Sequence, residues 1–561
     1  MEAAAGTLPP AATEPAPRVA VSSAMKKDVD TAGANHRPWW VGVPTLLVMA
    51  FYILPLAGAP PATNPNEVVR IELATSIALW ARFDLADSAA VYGVSEDVSI
   101  RNGKLYSDKA PGLSMISAPF VWIVDPILGR APSSDLPAYW PLRHALTLLL
   151  IAIPTVGLAL MVGTAVPGAD PRHRPAFAVI AALATPLWTY GTVYFGHASA
   201  ALFISAAWFL LLGYPDHDSS PGLQRAFLGG FAAGFAVSTE YPTALLAAVV
   251  FSTLLVRRVH VQVLVSAAAG ALVGVLPALI YHHVAFGAPW ITGYSYKAAS
   301  DFQAIIAHGT FGISWPSAEA LWGITFGARR GVFFYCPLLL LTPLGLWWMV
   351  KKQGWRDAGP VLAAVTAYVF FASGFVDWTA GWCAAARHLL PIIPLVVIPA
   401  LFAAATLVER RWGATIVAVV VSASATNALL SIVLTPFFPP EFRAPLAQLV
   451  LPSVADGASF SNLLSSGIGV APPAVAILTG AVVITLVIWS IGHLVRGRRP
   501  RLAAISLMTV VVLLLGYSWQ GSAPKTETEI MRSQVLRRLG HTEVADRIEE
   551  SLLSSERSQR D

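Results

Sequence analysis

The segment that decides the fold runs from Asn64 to Pro119 and reads NPNEVVRIELATSIALWARFDLADSAAVYGVSEDVSIRNGKLYSDKAPGLSMISAP. It follows the first long apolar run of the chain, and it carries more charge than a membrane-spanning segment tolerates. Each end of the segment holds an acid close to a cation, Glu67 with Arg70 and Asp108 with Lys109. These features predict a large loop on the outer face of a membrane, lying over a chemical site.

The composition of the whole chain is that of a membrane protein. Of its 561 residues, 55% are hydrophobic and 12% are charged, whereas soluble proteins carry about 25% charged residues. The mean hydropathy is +0.62. Apolar runs of roughly 18–22 residues recur, long enough to cross hydrocarbon as helices and too continuous for barrel strands. We therefore predict an all-α polytopic membrane protein, in which the net charge of +5 reflects basic cytoplasmic turns.

The composition also divides the chain into three parts. Residues 1–36 are rich in Ala and Pro and lack the apolar core of a signal peptide, so they predict a disordered cytoplasmic tail. Residues 37–519 hold the apolar runs and predict the transmembrane domain, with outer loops at 59–141, 285–331 and 436–471. Residues 520–561 predict a polar tail on the outer face.

Hydropathy and length predict about thirteen membrane spans. They fall near 39–58, 142–163, 175–192, 198–214, 225–239, 242–256, 262–284, 332–350, 359–376, 388–408, 413–435, 472–494 and 502–519. The apolar run 111–128 is short and contains Trp122 and Asp125, so we predict a helix lying in the outer interface instead of a span. With that choice, the strongly basic turns all fall on one side, which we predict to be cytoplasmic: 172–174, 257–258, 351–352, 410–411 and 496–501.

Polar and aromatic residues collect in the predicted outer hairpins and loops, where charged groups beside spans are costly unless they pair or face a cavity. Interface aromatics and snorkelling arginines are the alternative explanation for any single one of them. As a group they suit a transferase, because carboxylates can act as general bases and Lys and Arg can hold a phosphate. The residues are Tyr190, Tyr194, His197, Glu240, Tyr241, Tyr294, Tyr296, Lys297, Arg329, Arg330, Trp378, Trp382, Arg387 and His388.

Two motifs in the first outer loop resemble the GT-C membrane glycosyltransferases, particularly the branch of the protein O-mannosyltransferases and the lipid A aminoarabinose transferases. They are NEVVR at 66–70 and GKLYSDKAPG at 103–112, and Arg143 matches the Arg that follows them in the family. The resemblance covers the first half of the chain and the thirteen-span layout. It implies a polyprenyl-phosphate-sugar donor, transfer on the outer leaflet and inversion at the anomeric carbon.

The resemblance also implies roles for individual residues. Glu67 is the acid nearest to the family's base, and Lys109 is the expected phosphate contact with Tyr106 beside it. Because this chain has Asn66 where the family has Asp, Asp97 and Asp108 stay open as alternative bases. Further candidates for binding the donor phosphate or lipid are Arg70, Arg143, Arg387 and His388. The simpler alternatives are ion pairs of Glu67 with Arg70 and of Lys109 with Asp108.

The expected partners are a polyprenyl-phosphate sugar donor, an acceptor glycan, lipid or protein, and the lipid bilayer. No nucleic-acid motif is present in the sequence. We expect no metal cofactor, because cations of the protein can neutralise a monophosphate, and a weak role for a divalent cation through Glu67 and Asp97 stays open. Cys336 and Cys383 lie near one membrane face, where a disulfide is possible, but buried free thiols are the prediction.

Other function classes fit the same composition. A lipid-linked glycan ligase would use a diphosphate donor, and a transporter or flippase of lipid-linked sugars would show polar residues at mid-membrane and paired broken helices. A non-catalytic scaffold is favoured only by Asn66. The Ala-, Val- and Pro-rich composition indicates a GC-rich bacterial genome, so we predict the bacterial inner membrane, a cytoplasmic N-terminus and a site on the outer face.

Overall fold

The computed structural model describes residues 43–53, 64–128, 140–213, 221–310, 312–410, 412–459, 471–495, 499–521 and 526–558. These residues all belong to one compact unit that begins at Val43. The predicted tail 1–36 lies outside the described residues, as do parts of the predicted outer loops and of the basic turns at 410–411 and 496–501.

The protein is a polytopic α-helical membrane protein, as its composition predicts. Within the described residues, seven helices are long and apolar enough to cross a membrane, and each coincides with a predicted span. They are Pro141–Thr164, Val261–Phe286, Trp355–Gly374, Arg387–Leu407, Gly413–Leu430, Pro472–Leu494 and Pro500–Gly521. In an 18-residue stretch of Arg387–Leu407, 89% of the residues are buried within the protein, whereas in a stretch of the same length in Pro500–Gly521 22% are. Arg387–Leu407 therefore lies at the centre of the bundle.

The other six predicted spans correspond to helices that are shorter or interrupted. Three are single helices, Val43–Ile53, Gly196–Leu212 and Leu223–Thr239. The fourth joins a 3-10 turn at Tyr241–Thr243 to a helix at Ala244–Val256. The remaining two are broken into Arg174–Leu183 with Pro186–Tyr190, and Val332–Tyr335 with Pro337–Leu341 and Thr342–Gln353. Both breaks precede a proline, which cannot continue the hydrogen-bond ladder of the preceding helix.

Two of the helices pack closely because of small residues. Leu223–Thr239 carries Gly230 and Gly234, and Val261–Phe286 carries Gly270 and Gly274 at the same spacing. A Cβ at Gly234 would collide with the Ala271 carbonyl, so the backbones touch directly. This is the small-residue packing that lets helices associate without a hydrophobic driving force in lipid.

The first predicted outer loop is well structured. Its first helix, Pro65–Trp80, starts with a proline and is capped by the Asn64 side chain, which accepts from the Asn66 N–H at 3.0 Å. A short helix at Ala86–Tyr92 follows, and then two antiparallel strands, Val98–Arg101 and Lys104–Ser107. Asn102 and Gly103 both have positive φ, as a tight hairpin turn requires. The predicted interfacial helix is present at Gly112–Leu128.

Segments that the sequence assigns to the outer side contact one another. The first loop bonds to the 285–331 segment through Ser99 and Gly293, and Arg330 donates to the Gly381 carbonyl of the 377–388 hairpin at 2.8 Å. The C-terminal helices, Thr526–Arg538 and Thr542–Ser558, pack on the same hairpin through an apolar cluster that includes Ala385 and Leu536. Shorter helices in this region are Ser300–Ile306, Ala318–Thr325 and Leu451–Ala455.

Candidate functional site

Two carboxylates and two lysines form a closed quartet at the base of the first loop. The Lys109 Nζ lies 3.0 Å from Asp97 Oδ2 and 3.2 Å from Asp108 Oδ1. The Lys297 Nζ lies 3.5 Å from Asp97 Oδ1 and 2.5 Å from Asp108 Oδ2. Each lysine therefore bridges both acids, and Asp108 is fully buried while Lys109 is the most exposed member, at 12%.

The quartet shifts the acidities of its members in opposite directions. Burial raises the pKa of Asp97, but the charges of Lys109 and Lys297 outweigh it and hold that pKa below its ordinary value. For Asp108, burial dominates and the pKa is raised. Burial would lower the pKa of Lys109, yet the two carboxylates raise it further, so this lysine stays charged. Asp97 is consequently the more acidic carboxylate of the pair.

A second set of polar groups faces the quartet from the central helix. Arg387 and His388 begin the Arg387–Leu407 segment, and the charge of Arg387 acts on Asp97. The Arg387 Nε and the His388 Nε2 are buried and have no hydrogen-bond partner among the described residues. The His388 ring centroid lies 5.7 Å from that of His197. Buried donors without partners are costly, so these groups mark a place where a ligand or water can bind.

Glu67 lies in a separate ion pair, so the structure does not bring it to Lys109. Arg143 donates to its two carboxylate oxygens from Nε at 3.2 Å and from Nη2 at 2.8 Å. The Tyr194 N–H donates to Oε1 at 2.7 Å. The pairing of Glu67 with Arg70 considered from the sequence is wrong, because Arg143 from the next helix takes that place. A carboxylate held by three donors is poorly placed to accept a proton from a substrate.

Arg70 is completely buried and positions the chain around Lys109. It donates to Glu240 Oε1 at 2.7 Å, to the Asn66 side chain at 3.0 Å and to the Ala110 carbonyl at 3.0 Å. Because Ala110 follows Lys109 directly, this contact fixes the backbone that carries the lysine. The Glu240 partner comes from a different hairpin, and no spacing in the sequence indicates the pairing.

The remaining predicted residue, Tyr106, packs its ring against Phe286 at a centroid distance of 5.7 Å. Sequence reasoning noted Lys297 as one polar residue of a loop and gave it no role. Its signal is weak, a single lysine between aromatic residues some 190 positions from Asp108. Both cysteines are buried and free, as predicted. Among the described residues, no group of three or more His, Cys, Asp or Glu side chains is arranged to hold a metal ion.

An apolar cavity of about 950 Å³ begins beside this polar region. Its wall includes Leu389, the residue directly after His388, and Ile393 further along the central helix. Residues of the helices Thr342–Gln353 and Trp355–Gly374 also line it, together with Trp315. The polar site and the cavity together can accommodate an amphipathic ligand with an anionic head.

The chain is similar over most of its length to two crystal structures of ArnT from Cupriavidus metallidurans. The structure bound to undecaprenyl phosphate shares 17% identity, covers 82% of this chain and 79% of that chain, and has a TM-score of 0.42. The apo structure shares 16% identity over 87% of this chain and 78% of that chain, with a TM-score of 0.44. No protein-family description and no curated protein sequence matches the chain.

Proposed function

We propose that this protein is a membrane glycosyltransferase that moves a sugar from a polyprenyl-phosphate donor to an acceptor hydroxyl. One observation carries the proposal: a buried cluster of cations and carboxylates lies beside an apolar cavity of about 950 Å³. A polyprenyl-phosphate sugar needs both environments, because its phosphodiester is anionic and its isoprenoid chain is apolar. The sequence resemblance to GT-C glycosyltransferases supports the same reading.

In this proposal Lys109 and Arg387 hold the donor phosphate. Arg387 has a buried Nε with no partner among the described residues, and Lys109 is the more exposed of the two quartet lysines. A cation in a water-poor site stabilises the charge that develops on the leaving phosphate far more than it would in water. His388, with its unpartnered Nε2, can add a hydrogen bond to the same group.

Asp97 is the favoured base among the three predicted acids. Glu67 is held by Arg143 and Tyr194, and Asp108 is fully buried, whereas Asp97 keeps some exposed surface. Asp97 removes the proton of the acceptor hydroxyl as the oxygen attacks the anomeric carbon. The bond from that carbon to the phosphate oxygen breaks, and its electron pair leaves with the polyprenyl phosphate. In-line attack inverts the anomeric carbon.

We propose that this site lies on the outer face of a bacterial inner membrane and that the N-terminus lies in the cytoplasm. The basic turns support that orientation, because Lys and Arg favour cytoplasmic turns. Arg257 pairs with Asp357 at 3.2 Å, so two turns on the side away from the quartet contact each other. The acceptor is a hydroxyl of a glycan, lipid or protein that reaches the outer leaflet.

The test uses the purified full chain in detergent and a panel of radiolabelled polyprenyl-phosphate sugars and polyprenyl-diphosphate sugars. We expect the wild type to release or transfer sugar from at least one monophosphate donor. Asp97→Asn should reduce that rate by about 100-fold or more, the usual scale for losing a general base. Asp84→Asn is the matched control, since Asp84 lies in the same loop and contacts Lys104 at 3.8 Å, away from the quartet.

Three other outcomes would contradict the donor class, the enzymatic activity or the assignment of the base. Turnover of diphosphate donors alone would make the protein a lipid-linked glycan ligase. Passage of intact lipid-linked sugar across vesicle membranes, with no chemistry on any donor, would make it a transporter. Full activity of Asp97→Asn would remove Asp97 from the role of base.

A further inference from the structure

Lys297 lies between two carboxylates in the manner of a bound cation. Its Nζ contacts Asp97 Oδ1 at 3.5 Å and Asp108 Oδ2 at 2.5 Å. Lys109 contacts Asp97 Oδ2 at 3.0 Å and donates to Asp108 Oδ2 at 3.3 Å. The Lys297 side chain is 4% exposed. Two carboxylates that converge on one point are otherwise a favourable site for a divalent cation. Mg²⁺, for example, is bound by one or two carboxylates together with water molecules.

The loop that carries Lys297 is fixed in position by the first loop. The Ser99 hydroxyl donates to the Gly293 carbonyl at 2.7 Å, and the Ala298 N–H donates to the Val98 carbonyl at 3.0 Å. A Cβ at Gly293 would lie 2.7 Å from the Asp108 Cα, so only glycine permits this approach. Burial lowers the pKa of Lys297. The Lys297 ammonium lies 3.7 Å from the centre of the Phe302 ring, and this cation–π contact favours the charged form.

The charges of the site balance only if Lys297 is counted. Lys109, Lys297 and Arg387 supply three positive charges, and Asp97 and Asp108 supply two negative ones. A phosphodiester donor adds one negative charge and makes the loaded site neutral. After transfer, Asp97 carries the proton and the polyprenyl phosphate carries two negative charges, so the site is neutral again.

We propose that Lys297 is a built-in cation of the donor site, occupying the place between Asp97 and Asp108 that a divalent metal ion would otherwise take. This inference adds a positioning residue to the proposed function, and the expected effect on the transfer rate rests on that function. Lys297 acts as a positioning residue, because it orients the two carboxylates and leaves Lys109 available for the phosphate. The transfer then proceeds without an added metal ion.

The experiment compares wild type, Lys297→Met and the double variant Asp97→Asn/Lys297→Met, each as the full chain in detergent. Transfer is measured with and without a chelator, and Mn²⁺ binding is measured separately by electron paramagnetic resonance. We expect wild-type transfer to be unchanged by the chelator and no Mn²⁺ to bind at the quartet. Lys297→Met should lose about 100-fold in transfer rate, the scale for removing one fixed electrostatic contact, and should gain Mn²⁺ binding that the double variant lacks.

Lys104→Met is the matched control, since Lys104 is 61% exposed and pairs only at 3.8 Å with Asp84. It should match the wild type in both measurements. If the chelator abolished wild-type transfer and Mn²⁺ restored it, the inference would be overturned without the use of any variant. Lys297→Met that keeps full activity, or that binds no Mn²⁺, would also overturn it. Absence of all donor turnover in the wild type would defeat the proposed function, while the Mn²⁺ measurement would still decide the role of Lys297.

Discussion

Arg143 donates two hydrogen bonds to the Glu67 carboxylate, from Nε at 3.2 Å and from Nη2 at 2.8 Å, although the two residues are 76 positions apart in the chain. Both side chains are almost completely buried. The pair ties the first loop to the start of the helix Pro141–Thr164, and it also engages the Tyr194 backbone. The role of this ion pair is therefore structural: it fixes the position of the first loop, which carries three of the four quartet residues.

Glu67→Gln should lower stability more than it lowers the intrinsic rate of transfer. The change removes the negative charge of a buried ion pair, and breaking such a pair costs about 3–5 kcal/mol in comparable sites. Thermal unfolding in detergent would show the loss as a lower Tm. The same change with an unaltered Tm and abolished turnover would instead restore Glu67 as the base.

Lys109→Ala should mainly weaken donor binding. The two carboxylates keep Lys109 charged, and a hydrogen bond to a charged group contributes about 1.5–3 kcal/mol, so the donor Kd should rise by about 10- to 100-fold. Binding of a radiolabelled polyprenyl phosphate would measure this. Lys104→Ala serves as the control, and equal affinities of the two variants would contradict the phosphate contact.

Stability of the first loop should depend on pH through Glu72. Its carboxylate is buried with neither oxygen hydrogen-bonded among the described residues, and burial raises its pKa from 4.5 to about 8. The folded state keeps the proton that the unfolded state releases above its ordinary pKa. The stabilisation of the folded state by protonated Glu72 is complete below about pH 4.5. Above that pH it falls by about 1.4 kcal/mol per pH unit, and it is lost as pH passes 8.

The measurement is the Tm of wild type and Glu72→Gln between pH 5 and pH 8.5. We expect the wild-type Tm to fall with rising pH relative to that of the variant, because Gln stays neutral throughout. Parallel curves for the two proteins would show that Glu72 does not titrate in this window.

Val365→Trp should narrow the apolar cavity. Val365 lies on the helix Trp355–Gly374 and lines the cavity, so added bulk there competes with a long isoprenoid chain. We expect the KM for long-chain donors to rise more than the KM for short-chain donors. Val419→Trp, at an exposed position of Gly413–Leu430 outside the cavity wall, should leave both unchanged. An equal effect of Val365→Trp on both chain lengths would argue against the cavity as the lipid site.

The sequence predicts the parts of this fold that depend on local pattern. Hydropathy locates helices at all thirteen predicted spans, although in the described part of the chain only seven are continuous and long enough to be spans by themselves. The breaks before Pro186 and Pro337 follow from the missing proline N–H, and the turn at Asn102 and Gly103 from their tolerance of positive φ.

The pairings within the site could not be predicted in the same way. Asp108 and Lys109 are neighbours in the sequence, so their contact is local. Lys297 reaches Asp108 across six predicted spans, and Glu240 reaches Arg70 across 170 residues. Such contacts depend on how the helices pack in three dimensions, and one sequence contains no periodicity that encodes them.

The C-terminal helices contact the hairpin that leads into Arg387. Arg538 lies over the Trp382 ring at 5.4 Å, and Leu536 shares an apolar cluster with Ala384 and Ala385. These helices follow all the described apolar helices in the sequence, so they are synthesised after them. The hairpin therefore stays uncovered while those helices are made, and the order of translation delays completion of the region around Arg387.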